Sequence, residues 1–599
     1  MTYKETWDLD AIFAGGSSSQ ELAAFTKKMN DDLDRLRKRI DSLSPKPGDD
    51  WKSFILDVQD LNARFFQASS FTECLEAQNT SDKEASQLTG RLDAFRATLK
   101  TIDVRLEDLF LRADDAGWNQ LLQSKELAPI AFALNEQRAL AKKKMDREKE
   151  ILTTELAKDG YHAWGRLYDK IAGSLRADWK TDGKTEKISM GQLHNKMESP
   201  EAGVRKEAFE KLEGAWTSVA DYTAAALNAQ AGFRLTMYDK RKWDSVLFEP
   251  LQMNRLSRKA LDTMWGVVAD GSEKLLPYLD EKARLLGRKK LTWYDKSAPV
   301  ASKERALDYN EAAPYIVDQF ARFSGDMADF AKMAFEKRWI EVEDRAGKGA
   351  GGFCTDFPVS EETRIFMTYG GTFGGVSTLA HELGHSYHTW LLRKKPYYAT
   401  MYPMTLAETA STFCESLILD AALDAATDEE ERLTLLDKKL DEAATMMMNL
   451  RSRFVFEMNF FKERANGPLS VDKLNTLMVD AQKEAYCNGL DDDAYHPYFW
   501  ASKLHFYITT YPFYNFPYVF GYLFSIGLYD RALNEGPSFA AKYDALLEDT
   551  GIMTCEDLAK KHLGIDLTKP DFWEASVGRA TGHVEDFVKL AQQKTGAAR

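Results

Sequence analysis

Apolar positions recur every three or four residues over four long stretches of the chain, residues 20–43, 51–78, 83–113 and 137–158. That interval sets them on one face of an α-helix and turns Lys, Glu and Arg to the other. Each stretch therefore predicts an amphipathic helix with a solvated charged face. Lys180–Lys187 breaks the pattern: it is polar, has Gly183 in its middle, and predicts a turn or a boundary. On this basis the chain divides into an N-terminal helical region, 1–185, a larger region, 186–590, and a polar tail, 591–599. The texture changes again between Arg345 and Gly375. Gly347, Gly349, Gly351 and Gly352 precede Phe353-Cys354-Thr355-Asp356. Arg364-Ile365-Phe366-Met367-Thr368-Tyr369 then has the make-up of a β-strand, ended by Gly370-Gly371. The pattern as a whole predicts a mainly α protein with one small β-sheet.

Composition narrows the class. Of the 599 residues 44% are apolar, enough to bury a large core. Proline is scarce, 17 in all, so little interrupts the helices. Lys plus Arg is 79 and Asp plus Glu is 93, so the net charge is 79 − 93 = −14, which makes nucleic acid and anionic membranes poor partners. The five cysteines, Cys74, Cys354, Cys414, Cys487 and Cys555, show no Cys-x-x-Cys spacing and form no disulfide framework, which predicts a reducing compartment. Residues Met1–Phe13 carry Lys4, Glu5, Asp8 and Asp10 and lack the apolar centre of a signal peptide. No uncharged apolar run approaches the roughly 18 residues of a membrane span. The expectation is a soluble cytoplasmic protein.

Candidate chemistry is concentrated on one predicted helix, about residues 376–394. Val376, Leu379, Ala380, Leu383, Tyr387, Trp390 and Leu391 form its apolar face. At about 100° per residue, His381, His385 and His388 fall together on the opposite side. His381 and His385 are one turn apart, so both imidazoles reach one ion, and Glu382 lies beside them within reach of a water on that ion. This is the His-Glu-x-x-His arrangement of zinc peptidases, in which zinc brings the pKa of its water to roughly 7 and the glutamate accepts the proton. With nine histidines in 599 residues, chance yields the pattern about once in a hundred such chains. The alternative, histidines on a solvated surface, fits poorly with a face that carries three histidines, Thr389 and Gly384 in place of Lys, Glu or Asp.

Catalytic zinc takes three protein ligands and keeps one position open. Glu408 and Glu415 are seven residues apart, hence on one face of a helix that begins near Thr405. Leu406, Ala407, Ala410, Phe413, Cys414, Leu417 and Ile418 surround them, and carboxylates in such company need partners. No Lys or Arg occurs between Lys395 and Arg432. A metal answers for Glu408, and a place behind a ligating histidine answers for Glu415. Thr405-Leu406-Ala407-Glu408 is also a capping-box pattern, in which Glu408 would bond only its own helix start. Spacing leaves these two readings open. His388, nearly two turns from His381, is expected to line the cleft or to support a ligand.

Gly352-Phe353-Cys354-Thr355, Arg364-Ile365-Phe366-Met367-Thr368-Tyr369 and Val376-Ser377-Thr378-Leu379-Ala380-His381-Glu382-Leu383-Gly384-His385-Ser386-Tyr387-His388 resemble oligoendopeptidase F. That is a branch of the thimet-oligopeptidase family of zinc metallopeptidases. Glu408-Thr409-Ala410-Ser411, with Glu415 seven residues after Glu408, resembles the family's third-ligand helix. The resemblance covers most of the chain in layout and is residue-specific mainly from about Gly349 to Glu415. It implies a nearly all-helical, clam-like fold with the active site at the floor of a deep channel, and short peptides as substrates. It implies one Zn2+ per chain held by His381, His385 and Glu408, with Glu382 as general base. The family also uses a histidine and tyrosines to hold the substrate and the oxyanion, in a region matching the aromatic-rich Ala494–Asp530. Gly521-Tyr522-Leu523 resembles one such tyrosine site, and Tyr522, His505 and Tyr514 are carried over on it. Two features depart from the thimet branch: Asn515 stands where that branch has its other tyrosine, and His505 lies farther from Tyr522. An aromatic core is the other use of the stripe Tyr507, Tyr511, Tyr514, Tyr518 and Tyr522.

The reaction expected is hydrolysis of internal peptide bonds in short oligopeptides. The strand Arg364–Tyr369 would pair with the substrate backbone as an added strand, with Gly352, Phe353, Met367 and Tyr369 as substrate-contacting candidates. Two alternatives stand beside this. One is a zinc carboxypeptidase or dipeptidyl carboxypeptidase of related fold, which needs a cation to grip the terminal carboxylate. The other is a peptide-binding scaffold without catalysis, against which the intact Glu382 argues.

Overall fold

The computed structural model describes residues 2–181, 183–301, 305–594 and 596. The chain forms two compact units, each assembled from three stretches. Residues 1–144, 305–418 and 531–564 make the first, and 145–304, 419–530 and 565–599 the second. The linear division at residue 185 does not follow this compactness. Each return of the chain is decided by packing between distant stretches, which composition read along the sequence does not register.

In the first unit, three of the predicted helices line the core: Gln20–Arg39, Asp49–Gln78 and Lys83–Arg112. Their buried positions keep the expected interval, with Leu22, Met29, Leu33 and Leu36 on one helix and Leu88, Leu92, Phe95, Leu99 and Ile102 on another. Ser19 starts the first helix by accepting from the Leu22 N–H, and Asp82 starts the third by accepting from Glu84 and Ala85. Trp51, Phe54, Phe71 and Trp118 meet in the cluster these faces enclose. Burying a side chain of this size contributes roughly 1.5–3 kcal/mol. The helix expected over 137–158 is instead two, Ala131–Ala141 and Arg147–Gly160. The break comes where the Asp146 carboxylate accepts from the Lys149 N–H and starts a new helix.

The first unit also holds a sheet of three strands, Ile340–Glu341, Phe353–Phe357 and Glu362–Phe366, with Glu362–Phe366 in the middle. The middle strand runs parallel to the first, Ile340 opposite Ile365, and antiparallel to the second, Phe353 opposite Phe366. The strand read from Arg364 to Tyr369 thus begins two residues earlier, at Glu362. Its edge toward Phe353–Phe357 is paired from Glu362 to Phe366, while Ile340–Glu341 pairs only with Ile365 and Phe366 on the other edge. Pairing with a substrate strand is thereby limited along Glu362–Phe366, the middle strand of the three, and Phe353–Phe357 is an outer strand. Phe353–Phe357 and Glu362–Phe366 both pack on the helix Phe373–Leu392.

The second unit is helical, with Ala220–Arg241, Arg258–Ser272, Leu450–Arg464 and Val471–Ala485 among its longer elements. It adds a second small sheet that the pattern did not predict, the hairpin of Arg176–Thr181 and Lys184–Ser189. The polar stretch Lys180–Lys187 is the tip of that hairpin, and its Asp182 lies outside the described residues. The expected polar tail is helical at its start, in Val584–Lys594, while residues 595 and 597–599 lie outside the described residues. Among the described residues no helix is long and apolar enough to cross a membrane. None of the five cysteines is in a disulfide.

Candidate metal centre

The helix Phe373–Leu392 starts where the Thr372 hydroxyl accepts from the Gly375 N–H. Val376, Leu379, Ala380, Leu383 and Tyr387 are buried along one side, as the interval predicts. The side chains of His381 and His385 project from the other, their rings 4.9 Å apart and nearly perpendicular. The second helix, Met404–Ala425, carries Glu408 and Glu415. What lets it come close is Gly384: a methyl group there would lie 2.5 Å from Ala410 O and 2.6 Å from Ser411 Cα. Those are backbone atoms, so any larger residue would force the helices apart.

Across this close crossing Glu408 Oε2 stands 3.3 Å from His381 Nε2 and 3.5 Å from His385 Nε2. One donor atom from each of His381, His385 and Glu408 lies within 4.8 Å of the others. Two metal bonds of 2.0–2.1 Å meeting at a tetrahedral angle hold their donors about 3.3 Å apart, so the spacing suits zinc. The Ser411 hydroxyl donates to the same Glu408 oxygen at 2.7 Å. Glu408 therefore turns to the imidazoles and Ser411. Behind His381, Nδ1 stands 3.4 Å from Glu415 Oε2, and the Ser377 hydroxyl donates to Glu415 Oε1 at 2.7 Å.

The charges of the cluster point the same way. Burial opposes a charge on His381, but hydrogen bonding to Glu408 and Glu415 outweighs it and holds its pKa well above the usual imidazole value. Burial dominates at His385 and pushes it down to about 4. Burial would raise Glu408, yet His381 and His385 hold it at about 2. An ionised Glu408 thus faces His385, an imidazole that resists protonation, an arrangement that would accommodate a cation between them. Glu382 is buried, at 7% exposure, and its Oε2 has no hydrogen-bond partner among the described residues. Burial first, then the neighbouring Glu408, pushes it up to about 7, with His381 acting against them. An orphaned carboxylate oxygen beside a three-donor cluster fits a site that takes a metal and a water.

The remaining predicted residues fall into place unevenly. Gly352 lies against the base, its absent Cβ 3.7 Å from Glu382 Oε1 and 3.3 Å from Phe366 O. Phe353 stacks on Phe366 with ring centroids 5.2 Å apart. Met367 is buried and its N–H donates to Glu341 O at 2.9 Å. The Tyr369 hydroxyl donates to Leu307 O at 2.9 Å. Met367 and Tyr369 thus each have a partner within the fold. The placement of His388 is corrected: its Nε2 lies 2.8 Å from Thr550 Oγ1 and its ring stacks on Tyr402 at 4.2 Å, so it ties down the residues around 550 rather than a ligand. In the second unit, His505 and Tyr514 are brought together, ring centroids 5.4 Å apart. Tyr522 is buried at 3% exposure, while Tyr514 is half-buried. Three positions were not singled out from sequence: Gly384, Ser377 and Ser411. The available signal was a glycine inside the motif and hydroxyls on otherwise apolar helices.

Peptidase family M3 matches residues 196–579, and a further match, described as Oligopeptidase F, covers residues 110–176. An oligoendopeptidase F homolog of Lactococcus lactis is 26% identical over 411 residues, 68% of this chain and 67% of that one. Oligopeptidase PepF of Bacillus subtilis is 26% identical over 398 residues, 66% of this chain and 59% of its own. Among solved structures, oligoendopeptidase-F from Enterococcus faecium superposes with a TM-score of 0.71 at 18% identity, over 96% of this chain and 99% of that one. A chain from Chlamydophila abortus gives 0.83 at 19% identity, over 98% and 99%. At these identities the structures establish the shared fold.

Proposed function

The chain belongs to peptidase family M3, and from that premise we propose that it is a zinc-dependent endopeptidase that hydrolyses internal bonds of short oligopeptides with Glu382 as general base. The observation that carries this reading is the convergence of His381, His385 and Glu408 beside the unpartnered oxygen of Glu382. One Zn2+ bound by those three residues would supply Lewis acidity toward a water and the scissile carbonyl. Glu382 takes the proton of the attacking water and hands it to the leaving amine. Its raised pKa, about 7, suits both the taking and the giving. Glu415 accepts from Nδ1–H of His381 and so leaves Nε2 as the ligating nitrogen. Ser377 fixes Glu415, and Ser411 fixes Glu408.

The substrate backbone is best served by the outer strand Phe353–Phe357 and by Gly352, whose missing side chain leaves room beside Glu382. For the oxyanion donor, the half-buried Tyr514 beside His505 is a better candidate than the buried Tyr522. Five cysteines with no disulfide among them suit a reducing compartment such as the cytoplasm.

The test is hydrolysis of an internally quenched peptide by the wild type and by Glu382→Gln, each with its bound zinc measured. Internal cleavage by the wild type, with a rate loss of about a hundredfold or more in a variant that keeps its zinc, supports the reading. Inert protein at full zinc occupancy overturns it.

A further inference from the structure

The second unit brings three cationic side chains together with no ion-paired carboxylate among the described residues. Arg453 and Lys503 lie over the same ring, Phe499, at 5.2 and 5.1 Å from its centroid. Trp293 packs edge-on against Phe499 at 4.9 Å and carries Lys296 Nζ over its own face at 3.6 Å. Three cations thus lie against two rings in contact with each other, and Arg453 and Lys503 both act electrostatically on Lys296. None of the three has a carboxylate within ion-pair distance among the described residues. The nearest acids that act on them do so at longer range: Asp441, which is already engaged by Lys282 at 3.4 Å, and Glu457. In a chain with 93 acidic residues against 79 basic ones, a counter-ion was available to evolution in abundance.

The cluster is held in place rather than left to drift. Lys296 Nζ donates to the Tyr486 hydroxyl at 3.1 Å. Arg453 donates from Nε to Asn449 Oδ1 and from Nη1 to Asn515 Oδ1, both at 3.0 Å. Asn449 sits in a π-helical turn, Thr445–Asn449, an irregularity that costs backbone regularity and often marks functional positions. Asn515 is fully buried and spends its carbonyl oxygen on Arg453. These are neutral acceptors: they orient the cations without neutralising them. Lys296 and Lys503 remain half-buried, so an incoming group can reach them.

We propose that Lys296, Arg453 and Lys503 form an anion-binding subsite that takes a carboxylate of the peptide, either its C-terminus or an acidic side chain. The choice of a carboxylate rests on the peptidase reading above. Burial pushes the Lys296 and Lys503 amines down to about 7, and for both the neighbouring cations add to the effect. An arriving anion relieves that cost, so binding is strongest for ligands that bring a negative charge. The same field reaches His505, which burial, Arg453 and Lys503 together push down to about 4.

Equilibrium binding separates this from a purely structural cluster. Full-length Glu382→Gln protein, which would hold peptides without consuming them, is titrated with three matched nonapeptides. One has a free C-terminus, one a C-terminal amide, and one an amide with an internal glutamate. The carboxylate-bearing peptides should bind about tenfold or more tightly than the neutral amide, the loss expected for one charge-assisted contact. Tighter binding of the first alone assigns the subsite to the C-terminus, and of the third alone to an acidic side chain. Introducing Lys503→Gln should erase the difference, and Lys503→Arg should keep it. Equal binding of all three peptides overturns the proposal whatever the variants do. Charge-dependent binding by a wild type that cleaves nothing would sink the peptidase reading and leave the subsite standing. Cleavage without charge-dependent binding would do the reverse.

Discussion

Glu415 Oε2 stands 3.4 Å from Nδ1 of His381, on the side of the ring away from Glu408. A carboxylate in that position settles which nitrogen carries the hydrogen and makes the other a better donor to a metal. Removing such an outer partner lowers metal affinity by about 10–100-fold. Glu415→Ala should therefore lose zinc to a competing chelator at about 10–100-fold lower concentration than the wild type. Unchanged zinc affinity would reduce Glu415 to a packing residue.

Gly384 makes the crossing of the two ligand-bearing helices possible, because a Cβ would sit 2.5 Å from Ala410 O and 2.6 Å from Ser411 Cα. Overpacking of this kind costs typically about 1–3 kcal/mol. Gly384→Ala should lower stability to urea by that order and weaken zinc binding, since the displaced helix carries Glu408. Gly578 offers the control: it lies in the helix Pro570–Ala580, and a Cβ added there would meet nothing within 4 Å. Gly578→Ala should be neutral or slightly stabilising. Equal effects of the two substitutions would remove the close crossing as the reason for Gly384.

The His381, His385 and Glu408 cluster was largely legible because its information is local. His381 and His385 are one turn apart on a helix whose apolar face is unambiguous, and Glu408 and Glu415 repeat the logic on a second helix. What escaped depends on which segment arrives as a neighbour. His388 points nearly the same way as His381, yet it lies about 10 Å farther along the axis and meets Thr550. The strand Glu362–Phe366 reads as a strand, but its central place is decided by Ile340–Glu341 and Phe353–Phe357 on either side. The need for Gly384 becomes visible only once Ala410 and Ser411 lie against it.

Asp356 gives a pH dependence with a definite sign. Burial pushes its carboxyl up to about 6, although Thr389 donates to it at 2.8 Å. The folded state therefore holds a proton that the unfolded chain releases near pH 4. Between about pH 4 and pH 6 the native state binds more protons, so the Asp356 contribution to stability falls as pH rises and is lost above about 6. A shift of this size corresponds to about 3 kcal/mol at most. Asp356→Asn should lack the slope. Urea unfolding of both proteins at about pH 4.5 and 7.5, either side of that window, should show the variant gaining on the wild type at the higher pH. A difference that does not vary with pH would mean that Asp356 titrates normally.

Tyr514 and Tyr522 both belong to the aromatic stretch that the family resemblance connects with the oxyanion, but they differ in exposure. Tyr522 is 3% exposed, within the helix Phe516–Glu535. Tyr514 is half-buried, its ring 5.4 Å from His505 and 5.7 Å from Tyr518. A donor to a developing oxyanion has to reach the substrate, and losing one such donor costs about 10²–10³ in kcat. Tyr514→Phe should accordingly lower kcat by about a hundredfold or more with little change in KM, because the lost bond forms mainly in the transition state. Tyr522→Phe should keep kcat within a few-fold and appear instead as a lower melting temperature. Steady-state kinetics and thermal melts of the two variants decide the matter. A kcat loss confined to Tyr522→Phe would return the role to the tyrosine favoured by sequence resemblance, and would require the buried hydroxyl to become accessible during turnover.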